Sequence, residues 1–416
     1  MHLFLIIALL VIVSAIYSYI NARWLKLPGT IGIMTLAIAG SVLTIIVDRL
    51  NPKIADKLTI LATNINFSTT VLNIMLGFLL FASAFNLDTR KLKREMRSVF
   101  VLSTLGVIVS TAIFGTLLYW VTGLIDIKIP YIYCLLFGAL ISPTDPVAVG
   151  AIIKGSKLPN NLETIISGES LFNDGIGLVL FITLLEITQS GTDNIDFAKA
   201  ALLFVQEVFG GIAMGAVTGF IAFRLMKSIN DFQTIVLVSL SLVMFNSLAA
   251  TLLHLSIPLA VVTAGLFAGG RSINIDNKDH SHQALEKFWT LIDEMLNTML
   301  FVMIGLQMVN FPFIQNYWIT GIIGIVILLG ARWLSIMLPL TFLRRSLNVN
   351  YSSINILTWA GLRGGISIAL ALALPASNYR HFILAGTYFI VIFSIIVQGL
   401  TLNRVINASY RENEKD

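Results

Sequence analysis

The sequence predicts an all-α polytopic membrane protein of about 13 transmembrane helices, forming an inverted repeat whose fifth and twelfth helices are broken where they cross. Three observations carry this. Of 416 residues, 56% are hydrophobic and only 12% charged, roughly half the charged fraction of a soluble domain, and the mean hydropathy is +0.87. The apolar residues fall into runs close to the roughly 20 residues a helix needs to cross a bilayer. Two of those runs carry helix breakers beside a charged residue, in spans that enter from opposite sides.

In chain order the runs cover approximately 3–22, 28–48, 66–86, 98–122, 130–153, 162–188, 201–223, 232–253, 256–270, 288–309, 317–342, 352–374 and 381–402. The first has no basic residues before it and no small-residue cleavage pattern, while Arg23 and Lys26 follow it, so it reads as a retained helix rather than a signal peptide. Assigning the loops alternately to two sides places 19 of the 27 Lys and Arg residues on one side. They include Arg23, Lys26, the cluster Arg90 to Arg97, Lys154, Lys157, Arg224, Lys227, Arg271, Lys278, Lys287, Arg344, Arg345, Arg404, Arg411 and Lys415. The other side holds Arg49, Lys53, Lys57, Lys128, Lys199 and Arg380. Basic loops stay cytoplasmic, which puts the N-terminus outside and the C-terminus inside a multi-pass cell (inner or plasma) membrane protein.

The formal charge of +5 follows from those cytoplasmic loops and implies no nucleic acid. No phosphate-loop motif in a strand context is present, so no nucleotide is expected. The single cysteine, Cys134, excludes an intrachain disulfide. His280 and His282 share a polar loop without a third ligand, too few for a zinc site. The chain implies no cofactor, and its surroundings are the lipid bilayer.

Charges inside spans are costly, about 2.5–3.5 kcal/mol each at mid-bilayer, and mark function. The fifth span contains "ALISPTDPVAVG", Ala139 to Gly150. Pro143 and Pro146 lack amide hydrogens and push Ser142 and Asp145 away from helical geometry. The expected result is an extended stretch over Ser142 to Asp145, with freed carbonyls offered to a small cation, since unpaired backbone at this depth is tolerated only beside protein or a water-filled cavity. The twelfth span contains Gly361, Gly364 and Gly365 around Arg363. Two interrupted, oppositely directed helices point to an inverted-repeat transporter with its site at the crossing.

The sixth span supplies the chemistry. Asp174 lies about 18 Å into it at 1.5 Å per residue, near the midplane. Ser170 and Asp174 share one helix face, and Glu169 and Asn173 the adjacent one. Carboxylate, hydroxyl and amide oxygens suit Na+, Li+ or H+ rather than a soft metal. Glu169 has Arg363 as a prospective ion-pair partner. Arg332, in the eleventh span, reads as snorkelling toward the cytoplasm. Asp293 and Glu294 read equally well as a solvated helix N-terminus and as the mouth of an ion funnel.

Thr144-Asp145-Pro146, the run from Gly168 to Asp174 and the run from Gly361 to Gly365, in that order, resemble the first monovalent cation:proton antiporter family, which contains bacterial sodium/proton antiporters and the animal sodium/proton exchangers. The resemblance extends over essentially all the spans. It implies a secondary active antiporter, not an enzyme, exchanging Na+ (or Li+ or K+) for H+ by competition at one site with alternating access. It implies a homodimer and a single transport domain over 1–416, with a first repeat at 1–188 and a second at 232–402. A moving core would comprise 98–188 and 317–402, against a dimerisation scaffold of 1–86 and 232–309.

Carried over by position, Asp174 is the ion- and proton-binding carboxylate. Ser170 and Thr144 are further Na+ ligands, Glu169 lies nearby, Asn173 holds the site together, Asp145 balances the half-helix N-termini, and Arg363 pairs with Glu169. Asn173, where a second family has aspartate, points to the electroneutral branch with 1:1 exchange. The short polar end after the last span resembles a bacterial member more than an animal exchanger. Three alternatives stand beside this reading: a carrier of another small ion or organic solute on the same architecture, a passive cation channel, and an intramembrane hydrolase using Ser167 or Ser170 with Glu169.

Overall fold

The computed structural model describes residues 2–50, 67–125, 127–153, 156, 158–190, 197–270, 280–308, 314–343, 347, 349 and 351–413, all in helices, turns and irregular segments. Among the basic residues used for topology, Arg49, Lys53, Lys57, Lys154, Lys157, Lys199, Arg271, Lys278, Arg344, Arg345, Arg411 and Lys415 have side chains outside this description, as do His280 and His282.

The helices are α1 (His2–Ile20, extended by a π turn Asn21–Leu25), α2 (Gly29–Leu50), α3 (Phe67–Phe85), α4 (Thr89–Leu124), α5a (Tyr131–Ile141) and α5b (Pro146–Ile153). Next come α6 (Asn160–Ser190), α7 (Phe197–Lys227), α8 (Phe232–Leu252), α9 (Ile257–Gly270), α10 (His280–Met308) and α11 (Ile314–Phe342). The chain ends with α12a (Ile354–Trp359), α12b (Gly365–Ala373) and α13, which runs from Arg380 to Asn413 through a π turn at Phe393–Gln398. Ten helices among the described residues are long and apolar enough to cross a membrane, and shorter apolar helices cover Gly29–Thr44 and Ile257–Gly269. The pair α12a–α12b forms a further, broken crossing, so the expected order of spans stands.

Side-chain chemistry sets the boundaries. Asp88 caps α4, accepting from the Arg90 and Lys91 amides at 2.9 and 3.3 Å, as short polar side chains do at helix N-termini. The turn between α1 and α2 closes on Asn21, whose side chain accepts from the Leu27 amide and donates to its carbonyl at 3.2 and 3.0 Å.

Two sets of helices pack among themselves. In one, α4 lies against α5a, α6 and α11, and α11 against α13; in the other, α9 lies against α7, α8 and α3, and α10 against α2 and α3. The contact of α7 with α9 is built from small residues. Gly211, Gly215 and Gly219 face Ser256, Ala260 and Ala264, the four-residue spacing that lets membrane helices approach closely. The broken helices α5a–α5b and α12a–α12b lie between these sets. α12b touches α5a, α3, α10 and α13, and the C-terminal part of α13 covers both α5b and α12a.

A methyl group at Gly215 would overlap the Ala260 carbonyl, and backbone cannot yield as a flexible side chain does. Gly215→Ala is therefore expected to destabilise the protein by about 1–3 kcal/mol, the usual cost of overpacking. A thermal unfolding midpoint in detergent equal to that of the parent protein would contradict this packing.

Candidate ion-binding site

The first break runs from Ser142 to Asp145. Asp145 ends it as the N-cap of α5b, its Oδ1 accepting from the Val147 and Ala148 amides at 2.9 and 3.1 Å. Pro146 occupies the first helical position, where a missing N–H is no loss. The Pro143 ring fits over Gly177 of α6, where a side chain would collide with it. The second break runs from Ala360 to Gly364 and contains Arg363, which is fully buried.

The breaks satisfy each other. The Asp145 amide donates to the Leu362 carbonyl at 2.7 Å. Arg363 Nη1 donates to the carbonyls of Ser142 and Pro143 at 2.5 and 2.9 Å. The Arg363 amide donates to Ser394 Oγ at 2.8 Å, and Ser394 passes its own proton to Gln398 Oε1 at 2.6 Å. Both residues belong to the π turn of α13. The Asp145 carboxylate lies against the backbone of Gly364, the N-cap of α12b, so closely that a Cβ there would overlap it. One carboxylate thus stands at the positive ends of two half-helices, where an anion is favoured.

The carbonyls of Ser142 and Pro143, expected to be open for a cation, each accept from Arg363. One expectation that is corrected is the ion pair: Glu169 Oε1 lies 2.5 Å from Arg332 Nη1, and Arg363 is occupied with α5. The Glu169–Arg332 contact is close in distance without hydrogen-bond alignment, since Glu169 Oε1 has no aligned donor. Arg332 is 3% exposed and does not snorkel. Its depth carried the signal: it stands only a few residues past the middle of Tyr317–Phe342, roughly 4 Å at 1.5 Å per residue, far from an interface about 15 Å from the midplane.

The remaining predicted residues converge at the crossing. Thr144, Glu169, Ser170, Asn173 and Asp174 are all at most 1% exposed. Asn173 grips Thr144 twice: Oδ1 accepts from the Thr144 amide at 3.2 Å, and Nδ2 donates to its hydroxyl at 2.8 Å. The Thr144 and Ser170 hydroxyls are 2.7 Å apart and share a hydrogen bond. Asp174 stands apart from this network, its Oδ2 buried without a hydrogen-bond partner among the described residues. The charges nearest in influence are Asp145 and Arg363.

Asp174 lines a cavity of about 30 Å3 together with Thr144, Asp145, Asn297, Gly364 and Ser367, room for a water-sized guest. Ser83, Pro146, Val147 and Asn297 line both this cavity and a wider one of about 760 Å3. The wider cavity carries Glu286, Asp293 and Glu294 of α10 on its wall, so the two acidic residues left open by the sequence face a shared entrance. Among the described residues no group of three or more His, Cys, Asp or Glu side chains forms a metal cluster.

Two crossed broken helices, closed around buried carboxylate, hydroxyl and amide groups, define a multi-pass membrane protein of the discontinuous-helix type. The model of the family described as "Sodium/hydrogen exchanger, transmembrane" matches residues 8–408, and the chain belongs to that family. It is 38% identical over 410 residues to the Na(+)/H(+) antiporter NhaP of Pseudomonas aeruginosa, covering 97% of this chain and 96% of that protein. To the Na(+)/H(+) antiporter NhaH of Halobacillus dabanensis it is 30% identical over 411 residues, covering 97% and 96%. The fold matches the sodium proton antiporter MjNhaP1 of Methanocaldococcus jannaschii, solved at pH 8, with a TM-score of 0.77 over 98% of this chain and 99% of that one, at 20% identity.

The pairing of Glu169 with Arg332 has a direct test. Arg332→Ala leaves a buried carboxylate uncompensated, a loss typically of about 3–5 kcal/mol, and adding Glu169→Gln is expected to recover much of it. Arg363→Ala is expected to be destabilising too, but without rescue by Glu169→Gln, because its partners are carbonyls. Unfolding midpoints of the single and double variants decide between the two arginines; rescue of Arg363→Ala alone would reverse the assignment.

Proposed function

We propose that the protein is a secondary active antiporter that exchanges Na+, and on the same ligands Li+ or K+, for H+ in a 1:1 ratio, with Asp174 as the group both ions share. The observation that carries this reading is the state of Asp174: a buried carboxylate with an oxygen left unpartnered, facing a cavity that shares its lining with a wide entrance. An ionised carboxylate withdrawn from water is strongly disfavoured unless compensated. A proton or a monovalent cation supplies that compensation, and one site does not hold both.

Thr144 and Ser170 are the further oxygen ligands. Asn173 fixes Thr144 by two hydrogen bonds, which holds the hydroxyl at one distance from the helix that carries Asp174. A water-sized cavity suits a dehydrated small cation better than an organic solute. Coupling follows if only the proton-loaded and cation-loaded forms cross between inward- and outward-facing states. The two separately packed helix sets support assigning α4–α6 and α11–α13 to a moving core and α1–α3 and α8–α10 to a scaffold that pairs two copies into a homodimer. The basic residues Arg23, Lys26 and Arg90 to Arg97 sit at the end where the wide cavity meets Asn21 and Asn86, and basic loops are retained inside. That end is taken as cytoplasmic, in a bacterial inner membrane, with the C-terminus on the same side.

Asp174→Asn is expected to fold and insert but to transport nothing, because an amide neither releases a proton nor neutralises a cation. The check is sodium-driven proton movement in proteoliposomes, read with a pH dye after each chloride salt is added; exchange at the parent rate would overturn the assignment.

The charge inventory predicts electroneutrality. Glu169 is held against Arg332 and Asn173 carries no proton, so one carboxylate exchanges one proton for one cation. A transported charge would feel about 2.3 kcal/mol per 100 mV, shifting an equilibrium about fifty-fold. Clamping the liposome potential with a thiocyanate diffusion gradient, which supplies no competing cation, should leave the end point of sodium/proton exchange unchanged. An end point that moves with voltage would mean that a second proton travels, with Glu169 the first suspect.

A further inference from the structure

Asn297 of α10 is 4% exposed and belongs to no motif of the family resemblance. It lines the small cavity beside Asp174 and also the wide entrance, so an ion moving between the two passes it. Its Nδ2 donates to the Asp293 carbonyl at 2.8 Å and to Asp293 Oδ1 at 3.1 Å. Those acceptors, one turn earlier on the same helix, use both amide hydrogens. An amide has two donors on nitrogen and only acceptor capacity on oxygen, so what Asn297 has left to offer is Oδ1.

A neutral, oriented oxygen is a hard ligand of the kind a monovalent cation takes. It differs from the other candidate ligands in where it is mounted. Thr144 is on the α5 break and Ser170 and Asp174 on α6, which pack together, whereas α10 packs with α2 and α3. Any displacement of one helix set along the other changes the distance from Asn297 to Asp174 while leaving Thr144, Ser170 and Asp174 together.

We propose that Asn297, held by Asp293, is a state-dependent cation ligand that completes the site only while it communicates with the wide cavity, making cation affinity higher from that face than from the opposite one. This deepens the antiporter reading and rests on it. The residue determines affinity on one side of the membrane; it neither accepts the exchanged proton nor substitutes for Asp174.

The test measures the apparent KM for Na+ from each face, using everted and right-side-out membrane vesicles containing the full chain. Removing one ligand to a charged group should cost about tenfold in affinity. Asn297→Ala is expected to raise KM about that much from the wide-cavity face and to leave KM from the other face unchanged. Asn297→Gln, which keeps the amide oxygen and both amide hydrogens, is expected to restore most of the affinity. Equal changes at both faces, or no change at either, would overturn the proposal, since a merely structural role has no sidedness. Asn297→Leu, which keeps the volume and removes the oxygen, carries the same comparison should the alanine variant fail to accumulate. Asp174→Asn, assayed in the same vesicles, separates the two levels: parent-like exchange there sinks the antiporter site itself, whereas its inactivity with symmetric Asn297 effects sinks only this inference.

Discussion

The structure depends on one constraint: backbone freed from a helix in the middle of a membrane has no water to bond and must find its partners within the protein. The two broken helices meet it through each other. Arg363 reaches from the α12 break to the Ser142 and Pro143 carbonyls, and the α5 break returns the Asp145 amide to the Leu362 carbonyl. The π turn of α13 adds two more partners, with Ser394 on the Arg363 amide and Gln398 Nε2 reaching the Trp359 carbonyl at 3.4 Å. Remove the crossing and each break becomes a set of orphaned polar groups, which is why Asp145, Gly364 and Arg363 are chemically specified.

Charge follows from the same constraint. Four half-helix ends meet near the midplane, and Asp145 serves two of them, capping α5b by hydrogen bonds and lying against the start of α12b. Arg363 serves carbonyls, and Glu169 with Arg332 closes as an ion pair. Among the described residues, every buried charge but one therefore has a structural counterpart. Asp174 is the exception, and it faces the cavity. On the proposed reading, this arrangement leaves titration and cation binding to that one carboxylate.

The hydroxyl and amide groups around that carboxylate form a closed unit. Asn173 uses its oxygen and its nitrogen on Thr144, and Thr144 shares a proton with Ser170. These three tie the α5 break to α6. The wall opposite comes from α10, and there the acidic entrance and Asn297 belong to the other set of helices. The boundary between the two helix sets thus runs through the wall of the cavity beside Asp174.

The sequence by itself determined the membrane class, the order of spans and the place of both breaks, because hydropathy, proline and glycine act locally. It also placed Glu169, Ser170, Asn173 and Asp174 within about two turns of one another near the midplane, since helical spacing and rise convert position directly into height. Even the cap of α5b was legible, Asp-Pro being a start signal for a helix. Partner choice was not. Glu169 had two arginines within reach of a one-dimensional reading, and the lateral packing of α11 on α4, invisible in the chain, brought Arg332 to it and left Arg363 for the α5 carbonyls. The part of Asn297 in the cavity wall was hidden for the same reason. Height in a membrane is written along one helix, whereas contact between side chains is decided by how separate helices turn and press against one another, and only the tertiary structure sets that.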